Sequence, residues 1–292
     1  MHWNRLFLVL LALMPLAGQA AVNVVASTSD LAWFAREIGG DLVNVEAIAS
    51  PLSDPHFVEV RPSYMIKVKR ADVVLKIGME LDLWMDQIID GSRNGNLRII
   101  DCSANVSPME VPSFKADARH GDLHRFGNPH YWLGPDNAAP IARSVMDGLA
   151  AADPDHADIY RRNCDSLLEI ISGGIEQLRP DAAGIKNKEI IFYHNSWPYF
   201  CRFAGITAAG FIEPYPGVTP SPGHIKEIID LVKARGIKII AVEPYFDRRV
   251  PEKIASATGA RVVTLYPSIG GRENGESYLD WLRYNIDILT EK

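Results

Sequence analysis

The sequence has few cysteines, no excess of positive charge and no long apolar run in its main part. It holds 3 Cys in 292 residues and no CxxC pair, which argues against a disulfide scaffold and against a thiolate zinc site. Acidic residues outnumber basic ones by 36 to 30, so the chain lacks the positive field that nucleic-acid binding requires. What remains is an ordinary globular composition, 47% hydrophobic and 23% charged, that suits one or two domains.

The first 20 residues predict a secretory signal peptide. Arg5 gives a positive start, residues 6–16 form an apolar run of about 11 residues, and residues 17–20 (AGQA) provide a small-residue cleavage site. This run is too short to span a bilayer, which takes about 20 residues. No Cys lies near the cleavage site, so we expect an exported protein without a lipid anchor.

Strand patterns alternate with helical patterns in two separate stretches, which predicts an α/β fold with parallel sheets. Apolar, often β-branched runs predict the strands, at residues 22–27, 43–48, 72–77, 97–101, 189–193, 237–242 and 261–265.

A long helical pattern separates the two stretches. It runs over residues 155–178, with Pro154 at its first turn and Pro180 beyond its end. About 24 helical residues extend about 36 Å, which suits a spine joining two lobes. We therefore predict an N-terminal α/β lobe over residues 21–135, a helical linker that includes the spine over 136–180, and a C-terminal α/β lobe over 181–292.

Three histidines stand in matching local contexts, at junctions between strands and loops. They are His56, His130 and His194, and a Pro precedes the first two. Open parallel sheets place ligand-binding groups at such junctions, and neutral imidazole is the commonest metal ligand in proteins. Taken singly, a histidine is more often structural, and no two of these three share a short metal motif.

Residues 51–84 closely resemble the metal-binding class of solute-binding proteins of ABC importers. The similarity extends in order over essentially the whole chain after the signal peptide. The matching pieces are DPH at 54–56, RPS at 61–63, AD at 71–72, the run 78–84, PHYWL at 129–133, YH at 193–194 and YN at 284–285.

The resemblance implies two α/β lobes bridged by one long rigid helix, with a metal site in the cleft between the lobes. It implies a periplasmic binding protein and not an enzyme, one that captures Zn²⁺, Mn²⁺ or Fe²⁺ and delivers it to an ABC permease at the inner membrane. We expect a monomer, with a metallochaperone as a possible second partner. By the same resemblance His56 and His130 are ligands from the first lobe and His194 is one from the second. A third histidine favours Zn²⁺, because carboxylate-rich sites suit Mn²⁺ better.

One position departs from the family pattern. The family usually supplies a fourth ligand, an Asp, shortly before its last helix, and here Tyr266 stands in that place. A phenol is a poor zinc ligand because it stays protonated at neutral pH. Glu213, in a stiff Pro-rich loop after a short apolar strand, is the leading substitute, and Glu243, Asp247 and water are the alternatives.

Many zinc members also carry a long loop rich in His and acidic residues before the second ligand. Residues 113–128 hold only His120 and His124, so we expect a mobile polar loop there. The pairing of Cys102, Cys164 and Cys201 stays open, since three cysteines cannot all pair within one chain.

Besides a binding protein of the same shape for an organic or chelated-metal ligand, with the aromatic residues as its platform, two other metal-dependent functions compete with zinc capture. One is a Mn²⁺- or Fe²⁺-binding member of the same class, which a carboxylate-rich shell would favour. The other is a secreted zinc hydrolase, since three histidines with one open position also form a catalytic layout. The sequence contains no HExxH motif and no obvious general base, which argues against the hydrolase.

Overall fold

The computed structural model describes residues 21–112, 124–215, 217–273 and 275–290. The predicted signal peptide and His120 lie outside these ranges. Within them, no helix combines the length and the apolar character needed to cross a membrane.

The first lobe is a four-stranded parallel sheet with the strand order β2-β1-β3-β4. Its central strands β1 and β3 are rich in valine and mostly buried, as is usual for parallel strands covered by helices on both faces. In chain order the elements are β1 (Val22–Ala26), α1 (Ser29–Gly39), β2 (Val43–Ala47), α2 (Pro62–Lys69), β3 (Val73–Lys76), α3 (Leu83–Ser92) and β4 (Arg98–Asp101).

Two helices follow the first sheet. Helix α4 (Ala138–Ala152) packs against α1 and β4 of the first lobe. Helix α5 (Ala157–Ala183) has 27 residues, which corresponds to a length of about 40 Å. It packs against α1 and α4, and so forms the spine that the sequence predicts.

The second lobe repeats the strand arrangement of the first, in the order β6-β5-β7-β8. Its elements are β5 (Glu189–Phe192), α6 (Pro198–Ala204), β6 (Thr207–Phe211), α7 (Pro222–Arg235), β7 (Ile239–Val242), α8 (Arg249–Thr258), β8 (Arg261–Thr264) and α9 (Tyr278–Thr290). The spine also packs against α9, so the predicted fold of two parallel-sheet lobes joined by a long helix is confirmed.

The spine differs from its prediction at its C-terminal end. Pro180 lies inside α5, which continues to Ala183, whereas the sequence places this proline beyond the helix. The proline costs the helix one backbone hydrogen bond, to the carbonyl of Glu176, and only three helical residues follow it. Further back, Gly174 lets α9 approach closely, because a Cβ atom there would lie 2.3 Å from Leu279 Cδ1.

The lobes also touch where the loops after their strands meet. Trp132 Nε1, in the first lobe, donates to Pro267 O in the second at 2.7 Å. Ile269 N donates to the buried Asp30 Oδ1 at 2.9 Å. These contacts join the carboxyl ends of the two sheets, the edge at which parallel sheets bind ligands.

Candidate metal centre

His56 lies in the loop after β2, and its orientation is set by its own sequence neighbours. Asp54 Oδ1 accepts from His56 N at 3.0 Å and lies 2.7 Å from His56 Nδ1. Trp84 Nε1 donates to Pro55 O at 2.8 Å, which ties the same turn to α3. Because a carboxylate only accepts hydrogen bonds, Nδ1 carries the ring proton and Nε2 is left bare.

His130 is held by the same local arrangement. Asn128 Oδ1 accepts from His130 N at 3.0 Å and lies 2.9 Å from His130 Nδ1. The amide of Asn128 donates in turn to Asn195 O at 2.8 Å, in the second lobe. The buried Nε2 of His130 has no hydrogen-bond partner among the described residues.

His194 follows β5 and takes its partner from the neighbouring strand. Glu213, which follows β6, places Oε2 2.5 Å from His194 Nδ1. Its other oxygen, Oε1, accepts from Gly217 N at 2.8 Å. The bond to the carboxylate again assigns the ring proton to Nδ1, which leaves Nε2 of His194 available.

These three predicted residues come together at the interface of the lobes. One nitrogen from each of His56, His130 and His194 belongs to a group in which every pair lies within 4.8 Å. A cavity of about 370 Å³, lined in part by His130, His194 and Glu213, adjoins the group. Three convergent imidazoles whose Nδ1 atoms are anchored, so that Nε2 is the nitrogen left to bind, form an arrangement that can hold a divalent metal ion.

The electrostatics differ within the group. Burial, together with the neighbouring imidazoles, lowers the pKa of His130 well below its ordinary value. Burial also acts to lower the pKa of His194, but its hydrogen bond to Glu213 and the nearby charge of Glu243 outweigh burial and raise it. Burial acts against ionisation of Asp54, yet its bond to His56 keeps the pKa of this carboxyl below its usual value.

The candidates for a fourth ligand occupy different places. Glu213 directs both oxygens at protein donors, namely His194 and the backbone of Gly217. Glu243 is buried behind the site, where Ser196 and Trp197 donate to its Oε1 at 2.9 Å, and burial raises its pKa to about 7.

The remaining two positions contact other residues of the second lobe. Asp247 is exposed, and its Oδ2 accepts from Arg249 Nε at 2.6 Å. The ring of Tyr266 packs against Tyr284 at 5.5 Å between centroids, while its backbone N donates to Asn285 Oδ1 at 3.0 Å.

Most of the predicted mobile polar loop, residues 113–123, lies outside the described residues, but His124 at its described end is buried. His124 is 7% exposed, and its Nε2 lies 3.2 Å from Nε2 of His56. The two rings stack at 5.2 Å between centroids. The only sequence signal for a role of His124 at the site is its position six residues before His130. Its contact with His56 joins residues 68 positions apart and exists only in the folded chain.

The aromatic side chains beside the histidines are buried and hydrogen-bonded to the scaffold. Tyr199 OH donates to Asn128 O at 2.8 Å, and Tyr131 OH donates to Ile77 O at 2.8 Å. They fix the loops that carry the imidazoles. Cys102, Cys164 and Cys201 are buried free thiols.

Known proteins with similar sequences include metal-binding proteins and substrate-binding components of metal ABC transporters. Residues 24–292 match the family described as ZnuA, zinc-uptake complex component A, periplasmic. The iron-binding protein YfeA of Yersinia pestis is 22% identical over 275 residues, covering 92% of this chain and 85% of that protein. The manganese-binding lipoprotein MntA of Halalkalibacterium halodurans is 24% identical over 274 residues, covering 92% and 87%.

Solved structures lead to the same family. A crystal structure of ZnuA superposes with a TM-score of 0.77 at 25% sequence identity, covering 92% of this chain and 97% of that chain. Relatives of this kind are substrate-binding components of transporters, so this chain is a binding protein and not an enzyme. The two-lobed fold and the match over residues 24–292 show that the chain belongs to the ZnuA family of metal-binding substrate-binding proteins of ABC transporters.

Proposed function

We propose that this protein captures Zn²⁺ with His56, His130 and His194 and delivers it to an ABC permease. The observation that carries the proposal is the convergence of the three imidazoles, each with Nδ1 bonded to an oxygen acceptor. Hydrogen bonds of this kind fix the tautomer and the ring orientation of metal-binding histidines.

Zn²⁺ is favoured over Mn²⁺ and Fe²⁺ by the chemistry of the donors. The group within 4.8 Å contains three nitrogen donors, and imidazole suits Zn²⁺, whereas carboxylate and water suit Mn²⁺. Fe²⁺ also accepts imidazole, so a Fe²⁺-binding protein is the second candidate. Because the chain has relatives that are named for iron and for manganese, the test includes both of these metals.

Glu213 and Asp54 are proposed to act on the ion through the histidines. Each carboxylate bonds to the Nδ1 atom of a ring whose Nε2 faces the site. One imidazole would separate each carboxylate from the ion. Their two negative charges would offset the positive charge of the ion without occupying a coordination position. Direct binding of the metal by Glu213 would require it to give up His194 or Gly217.

Export through the predicted signal peptide, a monomeric state and loading by a metallochaperone belong to the same proposal. Delivery to a permease at the inner membrane would follow from the family, whose members serve ABC transporters. Ligand exchange is the only chemistry required.

Metal analysis tests the proposal directly. The exported chain is stripped with a chelator and titrated separately with Zn²⁺, Mn²⁺ and, without oxygen, Fe²⁺. We expect one tightly held Zn²⁺ per chain and weaker binding of the other two ions. If the protein prefers Mn²⁺ or Fe²⁺, that metal takes the place of Zn²⁺ in the proposed function. If none of the three ions binds tightly, the proposed function is wrong.

A further inference from the structure

His124 is the one described histidine outside the predicted group that contacts a member of it. Its Nε2 lies 3.2 Å from Nε2 of His56, and its side chain is buried. In a tetrahedral site with Zn–N bonds of 2.0–2.1 Å, neighbouring ligand nitrogens lie about 3.3 Å apart. The spacing of these two nitrogens is therefore close to the spacing of two ligands on one zinc ion.

The segment that carries His124 is fastened to the first lobe. Arg125 donates to Glu80 through its backbone N at 2.9 Å and through Nε at 2.7 Å. Gly127 adopts a φ of +106°, and a Cβ atom there would lie 2.7 Å from Met109 O, so the turn requires glycine. Asn128 N then donates to Met109 O at 2.8 Å. These contacts fix the turn that places His124 beside His56.

The residue that receives Arg125 is itself in an uncommon conformation. Met79 and Glu80 have φ values of +49° and +67°, in the left-handed region that non-glycine residues rarely adopt. Such strain persists only where the surrounding structure imposes it, and it occurs often at binding sites. Here it directs the Glu80 carboxylate at Arg125, next to His124.

Two states account for the contact between the imidazoles. In the apo protein, His124 Nε2–H can donate to the bare Nε2 of His56, since the proton of the His56 ring is on Nδ1. When a metal ion binds His56, that acceptor is taken, and His124 in its other tautomer can bind the same ion. A rotation of the His124 ring toward the group is required, because among the described residues only His56, His130 and His194 form a group within 4.8 Å.

We propose that His124 is the fourth ligand of the metal ion and makes the site selective for Zn²⁺ over Mn²⁺. This inference rests on the proposed function and adds to it. A neutral fourth imidazole fits the charge of the site, since Asp54 and Glu213 already stand behind His56 and His194. Four imidazoles suit Zn²⁺ and disfavour Mn²⁺, which prefers oxygen ligands.

The test compares His124→Ala with the wild-type protein and with His156→Ala. His156 bonds to Asp153 near the start of the spine and is the matched control for loss of a histidine. Zn²⁺ affinity is measured by competition with a chromophoric chelator, and zinc-edge X-ray absorption counts the imidazoles on the bound ion. We expect four imidazoles in the wild type and three in His124→Ala, with at least about 10-fold weaker binding, since even an outer partner of a ligand contributes 10–100-fold. His156→Ala should match the wild type.

Selectivity provides a second readout. The ratio of the Zn²⁺ to the Mn²⁺ affinity should fall at least about 10-fold in His124→Ala, and further in His124→Asp, which supplies a carboxylate. If His124→Ala unfolds, Arg125→Ala tests the same idea. It removes the side-chain bond that fastens the segment to Glu80, while His124 itself stays in the chain. We expect that variant to bind Zn²⁺ more weakly than the wild type.

The outcomes separate this inference from the proposed function. Wild-type protein that binds Zn²⁺ through three imidazoles would overturn the role of His124 and leave zinc capture intact. A His124→Ala affinity within threefold of wild type would do the same. Wild-type protein that binds no Zn²⁺ would overturn the proposed function, and the inference with it.

Discussion

The two lobes share one strand order but secure their histidines in different ways. In the first lobe, Asp54-Pro55-His56 and Asn128-Pro129-His130 each use a side-chain oxygen two residues before the histidine. In the second lobe, His194 relies on Glu213, which is 19 residues away and follows the adjacent strand β6. The first arrangement is a local turn, and the second exists only when β5 and β6 are paired.

The loops after the first strand of each lobe also differ. After β5 the chain provides His194, which faces the site. After β1 it provides Ser29 and Asp30, which bond to the backbone of Ile269 in the other lobe. The same position in the two sheets thus carries a proposed metal ligand in one lobe and a contact between the lobes in the other.

The largest expected effect comes from removing His194, the imidazole that the second lobe contributes to the group of three histidines. His194→Ala should lower Zn²⁺ affinity more than about 100-fold, beyond the 10–100-fold typical of an outer partner. A ligand present at 1,000 times its Kd stabilises the folded state by about 4 kcal/mol. In His194→Ala the stabilisation by Zn²⁺ should be smaller, because the ion binds more weakly. Thermal unfolding with and without Zn²⁺ measures it. His224→Ala, the other histidine of this lobe, is the control, and equal losses in both variants would contradict the assignment.

The next effect distinguishes the local anchor from the distant one. Glu213→Gln should weaken Zn²⁺ binding about 10- to 100-fold, because the ring of His194 loses its charged acceptor. Asp54→Asn should weaken it less, because Asn128 shows that an amide oxygen at this place is enough to hold His130. Competition with a chelator measures the Zn²⁺ affinity of both variants, and so the ratio of the two losses. A larger loss in Asp54→Asn would reverse the proposed difference between the lobes.

A third effect lies in the protonation of the histidines. Since the pKa of His194 is raised, the stability it contributes is present below pH 6.5 and is lost as pH rises through its folded pKa. His130, whose pKa is lowered, contributes stability above pH 6.5 that is lost as pH falls. NMR titration of the apo protein should show His194 titrating above and His130 well below the ordinary value. Coincident titration of the two rings would contradict this.

The same protonation acts against metal binding. His194 must shed its proton before Nε2 binds an ion with a neutral ring, so Zn²⁺ affinity should begin to fall already above pH 6.5 and decrease further below it. Chelator competition between pH 8 and pH 5.5 measures the fall. An affinity that does not change over this range would argue against a histidine site.

The smallest effect concerns the contact between the lobes. Burial raises the pKa of Asp30 to about 7, so the folded state keeps a proton that the unfolded state releases from about pH 4 upward. Stability therefore falls as pH rises through that window. Asp30→Asn keeps the acceptor for Ile269 N and has no proton to lose, so it should be more stable than wild type at pH 8 by about 1 kcal/mol or more. Urea unfolding at pH 4.5 should show a smaller gain, and equal gains at both pH values would contradict the cause.

Local patterns predicted the elements well where the signal lies within a few residues. The expected strand at residues 72–77 appears as β3 (Val73–Lys76). Ser221-Pro222 is a local signature of a helix start, and α7 does begin at Pro222, with Ser221 Oγ accepting from His224 N at 3.2 Å. The C-terminal end of α5 was predicted less well, because a proline near the end of a helix weakens the pattern without ending the helix.

The amino-acid sequence by itself determined the two α/β repeats, the spine between them and three histidines at loop junctions. It also determined how His56 and His130 are oriented, because an oxygen two residues away acts through the local backbone. Only the tertiary structure decided that Glu213 meets His194 and that His124 meets His56. These contacts depend on which strands are adjacent and on how a long loop folds back. Residues far apart in sequence come together through the packing of the whole chain, and no local pattern specifies that packing.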